Sequence, residues 1–291
     1  MATARVPFVG DHPVAAFFVG AYAFTWLVSA PAAAMEPSWP AAILVYVGSF
    51  GPPVSAAAVT WLRGDDVRAW ARQLTRWRVG WGWWIVALGL PVLAAGLVTA
   101  GILAVRGPVD LARALPSPVV FVGVFLFALV LSGGLNEEPG WRGFAQARLN
   151  ERYGALAASL VIGVLWAGWH LPYFVIPVTP QSSFPLVNQV GWFGGILTLW
   201  VVLAWVYNST GSVLLAMALH AMANTADMLI PLSAERLLPG GVIDTGAVTT
   251  VVVVHLAVYA LLALAVIAYA GPRDLTRGDP PDARAVGARE D

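Results

Sequence analysis

The sequence contains no cysteine and no lysine. The lack of cysteine excludes disulfide frameworks, thiolate metal sites and cysteine nucleophiles. The lack of lysine excludes lysine-based catalysis and Schiff-base chemistry. The net charge is zero, which argues against a nucleic-acid partner. The charged residues are sixteen arginines and sixteen aspartates and glutamates, and there are four histidines.

Charge of either sign is scarce. Of the 291 residues, 59% are hydrophobic and 11% are charged, whereas a soluble domain carries about 25% charged residues. So few charged side chains could not cover a soluble surface of this size. The first apolar stretch has neither a strong basic region nor a convincing cleavage site, so we expect a retained helix and not a removed signal peptide. The composition predicts a protein solvated by lipid.

Apolar runs close to the ~20 residues needed to cross a bilayer recur along the chain. We therefore predict an all-α, polytopic membrane helical bundle with about eight transmembrane helices. The predicted spans are 14–33, 41–62, 82–104, 117–135, 155–174, 190–207, 212–231 and 247–270.

The arginines predict the orientation. Eight spans place the N-terminus, residues 63–78, residues 142–152 and the C-terminal tail on one side of the membrane. Thirteen of the sixteen arginines lie there: Arg5, Arg63, Arg68, Arg72, Arg76, Arg78, Arg142, Arg148, Arg152, Arg273, Arg277, Arg284 and Arg289. The remaining three are Arg106, Arg113 and Arg236. By the positive-inside rule, we predict a multi-pass cell-membrane protein with both termini in the cytoplasm.

Three polar motifs interrupt the apolar spans. They are 133–144 (GGLNEEPGWRGF), 166–172 (WAGWHLP) and 220–224 (HAMAN). If the fourth helix is broken at the glycine pair and at Pro139 but continues to about Asn150, Glu137 lies roughly 21 Å from the cytoplasmic end. His170 then lies roughly 24 Å deep and His220 roughly 14 Å deep. Polar side chains at such depths are costly and usually functional, so we expect the motifs to converge.

Structural alternatives remain open for each motif. Residues 137–152 could form a cytoplasmic loop with solvated charges. His170 could be a hydrogen-bonding group at a helix end, and His220 with Asn224, four residues apart, could be an interhelical hydrogen-bond seam. The flanking glycine pair and Pro139 favour a broken helix that lines a cavity instead.

The residue types indicate hydrolytic chemistry. Glu138 and Arg142 are four apart and can pair on one helical face, whereas Glu137 points about 100° away, towards a cavity. A buried carboxylate is a stronger base than one in water, so Glu137 could take a proton from a water molecule. A neutral imidazole and a side-chain amide can donate hydrogen bonds to a developing oxyanion. His170, His220 and Glu137 could equally hold a zinc ion with an open position, and the sequence leaves these two mechanisms open.

The three ordered motifs resemble those of one family. The pattern is Glu137-Glu138-x-x-Trp141-Arg142-Gly143, then Trp166-x-x-x-His170, then His220-x-x-x-Asn224. It is similar to the CAAX prenyl endopeptidase and bacteriocin-processing family of intramembrane proteases, also called the CPBP or Abi family. Trp166 stands where phenylalanine is common in the family. Members were first classed as metalloproteases, and later readings favour a glutamate-dependent mechanism without metal.

The resemblance implies a role for each matching residue. Glu137 would activate water with help from His170, and His220 and Asn224 would stabilise the oxyanion. Glu138, Arg142 and Trp166 would support the site. The resemblance suggests a protease-like core (117–231). The apolar runs and the Pro-, Gly-, Asp- and Arg-rich end predict the remaining parts: helices one to three (1–116), a last helix (232–271) and a disordered cytoplasmic tail (272–291).

The expected activity is therefore that of an intramembrane endopeptidase. Its partners would be the lipid bilayer and a peptide or membrane-protein substrate; whether that substrate is prenylated is left open, and so is the role of Asp227. A proton-coupled transporter could also use buried carboxylates and histidines. A non-catalytic immunity or scaffold membrane protein is a third possibility.

Overall fold

A computed structural model describes residues 7–108, 115–230 and 245–282. All regular elements in these ranges are helices, which confirms the prediction of an all-α membrane bundle. Five of the arginines used to predict the orientation lie outside the described residues, and so does the last part of the predicted disordered tail. These arginines are Arg5, Arg113, Arg236 and the pair Arg284 and Arg289 in the tail.

Helices make up most of the described residues. In chain order they are α1 (Pro7–Asp11), α2 (Pro13–Ser29), α3 (Trp39–Gly48), α4 (Gly51–Leu62), α5 (Val67–Arg72), α6 (Trp81–Arg106), α7 (Pro118–Leu131), α8 (Glu138–Gly140, the π-helical turns Trp141–Gln146, and Ala147–Tyr153), α9 (Ala155–Trp169), α10 (Leu186–Thr210), α11 (Val213–Ala226) and α12 (Thr245–Ala270). Short 3₁₀ turns lie at Ala30–Ala34, Gln73–Thr75, Leu171–Phe174, Pro180–Ser183 and Asp227–Leu229.

An apolar helix lies at each of the eight predicted spans. Five are long and apolar enough to cross a membrane: Pro13–Ala34, Trp39–Leu62, Trp81–Arg106, Leu186–Thr210 and Gly246–Ala270. The other three, α7, α9 and α11, contain only 14 or 15 residues. At about 1.5 Å per residue they are shorter than a ~30 Å hydrocarbon core. The polar motifs lie just after α7, at the end of α9 and in α11.

The fourth span is broken and continued, as the sequence predicts. Helix α7 ends at Leu131, and the chain turns through residues 132–137 before α8 begins at Glu138. Gly133 adopts φ +116°, a conformation that favours glycine. Residues 138–153 are then helical and largely buried, so the alternative of a solvated loop for 137–152 is wrong. The side chains of α8 face other helices because α8 enters the centre of the bundle.

The tail was expected to be disordered from residue 272 onward. Residues 272–282 instead pack against the ends of α9 and α10. The backbone N–H of Ala155 donates to the carbonyl of Arg273 at 2.5 Å, the Asn208 side chain donates to the carbonyl of Asp274 at 2.7 Å, and Leu275 is fully buried. The sequence prediction failed here because the anchoring hydrogen bonds use the tail's backbone, which composition does not report.

Candidate active site

The three polar motifs meet around Trp166 of α9. Its indole Nε1 donates a hydrogen bond to Oε2 of Glu137, and its backbone carbonyl lies 3.1 Å from Nδ1 of His170. The ring centroid of Trp166 lies 4.0 Å from that of His170 and 6.1 Å from that of His220. The predicted convergence of Glu137, His170 and His220 is therefore present in the structure.

Glu137 stands at the last residue before α8. Its side chain is buried, with 4% exposed. The turn that precedes it is held by Asn136, whose Oδ1 accepts from the N–H of Gly133 at 2.8 Å and whose Nδ2 donates to Oγ of Ser49 at 3.1 Å. These bonds fix the backbone immediately before the carboxylate, so the irregular segment 132–137 is an ordered turn.

Glu138 points away from Glu137, as one residue along a helix requires. Its Oε2 lies 3.3 Å from a terminal nitrogen of Arg142, which is the predicted i, i+4 pair. Its Oε1 lies 2.6 Å from Nδ1 of His220. The side chains of Glu138 and Arg142 are fully buried. The carboxylate thus bridges a guanidinium on its own helix and an imidazole on α11.

Trp200 of α10 completes the surroundings of Arg142. The guanidinium lies 4.3 Å from the centre of the Trp200 ring and donates to the Trp200 backbone carbonyl at 3.4 Å. The same ring packs against Trp166, at 4.3 Å between centroids, and against His220, at 5.6 Å. The sequence does not predict a role for Trp200, because one tryptophan in an apolar span cannot be distinguished from a packing residue.

His170 begins the connection after α9. Its ring is packed on three sides by aromatic side chains, with centroid distances of 4.5 Å to Trp169, 5.3 Å to Tyr173 and 5.0 Å to Trp192. Its Nδ1 faces the carbonyl of Trp166, the residue four earlier. The alternative of a helix-end hydrogen bonder is therefore partly right, since this bond satisfies the last turn of the helix while the ring faces the cluster.

Asn224 lies one turn after His220 on α11. Its Nδ2 donates to the carbonyl of Ser132 at 2.8 Å, and its side chain is exposed. This bond ties α11 to the end of α7, at the start of the break. A Cβ at Gly133 would lie 2.8 Å from both Nε2 of His220 and Nδ2 of Asn224, so the backbone of the broken segment sits directly against these two groups.

The zinc hypothesis can be tested against the geometry. Within residues 7–108, 115–230 and 245–282, no three histidine or acidic side chains are arranged to hold a metal ion. The conditional set of His170, His220 and Glu137 does not fit a three-ligand zinc site, and no reaction step is assigned to a metal.

Asp227 does not join the cluster. It follows α11, and its Oδ1 lies 4.0 Å from Nδ1 of His255 on α12. The ring of His255 stacks on that of Tyr259, with centroids 4.5 Å apart. Although Asp227 continues the spacing of His220 and Asn224, it belongs to a separate contact between α11 and α12.

Comparison with known proteins agrees with these motifs. Residues 116–226 match the family model of the type II CAAX prenyl endopeptidase, Rce1-like. The chain is also similar to CAAX prenyl protease 2 of Methanococcus maripaludis, with 31% identity over 127 residues that cover 42% of this chain. The match spans 44% of that relative's length, so it concerns a part of each protein. The segment of residues 116–226, which contains all three motifs, is thus similar to the Rce1-like CAAX prenyl endopeptidase family.

Proposed function

We propose that this protein is an intramembrane endopeptidase in which Glu137 activates the attacking water. The observation that carries the proposal is the position of Glu137: a buried carboxylate with one oxygen fixed by the Trp166 indole, beside two imidazoles. A carboxylate in this position can act as a general base only if an acceptor oxygen faces the water. We assign that task to Oε1, because Oε2 accepts the hydrogen bond from Trp166.

His170 supplies a second acceptor for the same water. A backbone carbonyl can only accept a hydrogen bond, so Nδ1 of His170, 3.1 Å from the carbonyl of Trp166, carries the hydrogen. In the neutral imidazole, Nε2 is then the acceptor. Glu137 and His170 would thus hold the two hydrogens of one water molecule, with the oxygen lone pairs free for attack on a peptide carbonyl.

His220 has a different partner and therefore a different role. A carboxylate paired with a guanidinium accepts hydrogen bonds, so Nδ1 of His220 donates to Glu138 at 2.6 Å. Its Nε2 can donate to an oxyanion only in the imidazolium form. In that form the charges of Glu137, Glu138, Arg142 and His220 sum to zero, which is the balance a buried ionic cluster requires. This assigns oxyanion stabilisation to the charged form of His220, where the sequence suggested neutral imidazole.

Asn224 would complete the oxyanion site. Its amide nitrogen carries two hydrogens. One bonds to the carbonyl of Ser132, which fixes the side chain, and the other can donate to the oxyanion beside Nε2 of His220. In the proposed reaction, water oxygen bonds to the peptide carbon while Glu137 takes a proton. The C–N bond then breaks, and that proton passes to the leaving amine.

The substrate class follows from the relatives. The matching family model and the Methanococcus maripaludis relative are both named for CAAX prenyl proteolysis. We propose a peptide or membrane-protein substrate cleaved near the membrane, with a prenylated C-terminal tail as the first form to assay. The predicted orientation, with both termini in the cytoplasm, would place cleavage on or below the cytoplasmic face.

A comparison of peptide termini in membranes tests this function. Cells that produce the wild-type chain should contain new termini absent from cells that produce Glu137→Gln. The control is Glu151→Gln, which changes an exposed glutamate near the end of the same helix. Identical sets of termini in the wild type and in Glu137→Gln would overturn the proposal. Flux of protons or solutes through reconstituted vesicles, together with that result, would favour the transporter alternative.

A further inference from the structure

A second polar site lies at the arginine-rich end of the bundle, away from the catalytic cluster. It is a cleft of about 530 Å³ between the segment of residues 69–78, the α10–α11 junction and the tail. Three exposed arginines line it: Arg72, Arg76 and Arg78. The acidic side chain on the cleft wall is Asp282. Three guanidinium groups against one carboxylate leave a positive excess, which selects an anionic occupant.

Neutral polar side chains line the cleft beside the arginines. Thr75 and the buried pair of Gln73 and Tyr207 also line the cleft, and the Tyr207 hydroxyl donates to Oε1 of Gln73 at 3.2 Å. A guanidinium nitrogen of Arg76 sits against Gly211, 2.9 Å from where a Cβ would stand, so Gly211 leaves room for this arginine at the rim. The guanidinium groups match the oxygen atoms of a phosphate group, whereas the hydroxyls of Thr75 and Tyr207 donate hydrogen bonds within the protein.

The cleft is placed at a membrane surface. Helix α6, a membrane-spanning candidate, begins at Trp81, three residues after Arg78. Trp77 and Trp81 are 60% and 77% exposed. Exposed tryptophans at the end of a spanning helix are typical of the headgroup layer of a bilayer. An anion that reaches this cleft most directly is therefore the headgroup of a lipid in the same leaflet.

We propose that this cleft binds the phosphate of an anionic membrane-lipid headgroup. The cleft is also connected to α8, the helix that contains Glu138 and Arg142. Nε2 of Gln73, on the cleft floor, donates to the carbonyl of Gly143 at 2.7 Å. Gly143 follows Arg142, which pairs with Glu138. Occupancy of the cleft is therefore coupled, through Gln73, to the π-helical turns that position the catalytic cluster. This coupling rests on the proposed peptidase function, whereas the lipid binding does not.

The test measures binding of a short-chain phosphatidylglycerol to the purified full chain in a zwitterionic detergent, by native mass spectrometry and calorimetry. The variant is Arg76→Gln/Arg78→Gln, and the matched control is Arg68→Gln/Arg277→Gln, two exposed arginines that do not line the cleft. With about 1 kcal/mol per arginine at a membrane surface, the variant should bind roughly 10- to 30-fold more weakly. The control should bind within about threefold of the wild type.

Equal affinity in the wild type and in Arg76→Gln/Arg78→Gln would overturn the proposal, and so would equal affinity for short-chain phosphatidylcholine. Inorganic phosphate that competes at the concentrations at which the lipid binds would overturn the lipid as the source of the anion. In an activity assay, phosphatidylglycerol should stimulate the wild type and not the cleft variant. Binding without stimulation would refute the coupling and leave the binding site standing.

Discussion

Nδ1 of His220 lies 2.6 Å from Oε1 of Glu138, whose other oxygen lies 3.3 Å from Arg142. This relationship divides the work of two adjacent glutamates. Glu138 contacts a histidine and an arginine, whereas Glu137 accepts a hydrogen bond from the Trp166 indole. The two carboxylates are neighbours in the chain but turn to different partners because a helix rotates about 100° per residue.

Glu138→Gln should lower kcat and leave KM nearly unchanged. A neutral amide does not balance the His220 imidazolium, so the oxyanion loses a charged donor, which costs roughly 10²- to 10³-fold in kcat. Steady-state kinetics on a cleaved peptide checks this. Thermal unfolding is measured in parallel, because a buried ion pair that loses one partner costs about 3–5 kcal/mol of stability. A folded Glu138→Gln with wild-type kcat would show that Glu138 does not position His220.

Gly133→Ala should block the oxyanion site. The added Cβ would lie 2.8 Å from Nε2 of His220 and from Nδ2 of Asn224, at a backbone φ of +116°. Both the space and the conformation favour glycine. We expect a loss of kcat of at least tenfold. Gly123→Ala on α7 is the matched control, because its Cβ meets nothing within 4 Å. Equal losses in the two variants would contradict the specific role of Gly133.

Trp166→Phe should release one oxygen of the Glu137 carboxylate from its fixed position and keep the fold. Phenylalanine retains the aromatic packing against His170 but removes the Nε1–H that donates to Glu137. The backbone bond from His170 to residue 166 is unaffected, because it uses the main-chain carbonyl. We expect kcat to fall roughly tenfold, the order of one charge-assisted hydrogen bond. The control is Trp61→Phe on an exposed surface of α4. Equal kcat in the two variants would show that Trp166 acts only as a packing residue.

Treatment with a strong zinc chelator should leave peptide cleavage unchanged. Among the described residues, no three histidine or acidic side chains are arranged to hold a metal ion. The assay compares initial rates before and after dialysis against the chelator, with and without added zinc. A loss of activity that zinc restores would require a metal site that this arrangement of side chains does not provide.

The sequence predicts the helices better than it predicts their contacts. Apolar runs locate the eight spans because burial in lipid demands them, and the i, i+4 spacing predicts the Glu138–Arg142 pair. The contact between Glu138 and His220 joins residues 82 apart in the chain, on different helices. It depends on the rotation of α8 through its π-helical turns, which local spacing does not determine.

The assignment of donors and acceptors also required the structure. From the motifs alone, His170 and His220 are equivalent buried imidazoles. Their roles differ because Nδ1 of His170 faces a carbonyl and Nδ1 of His220 faces a carboxylate. Trp200, which stacks on Arg142, has no sequence signal. The tail was mispredicted for a related reason: Leu275 is buried against other helices although its neighbours are polar.

The role of Glu137 as the base is the central claim, and its most direct test is the turnover of Glu137→Gln. The purified full chain, in lipid, is given a fluorogenic peptide with a prenylated C-terminal tail, or a substrate found from the membrane termini. Glutamine keeps the shape of the side chain but cannot accept the proton. Glu137→Gln should lose at least ~10²-fold in kcat, and Glu151→Gln should keep the wild-type rate. Glu137→Gln with the kcat of Glu151→Gln would contradict the account.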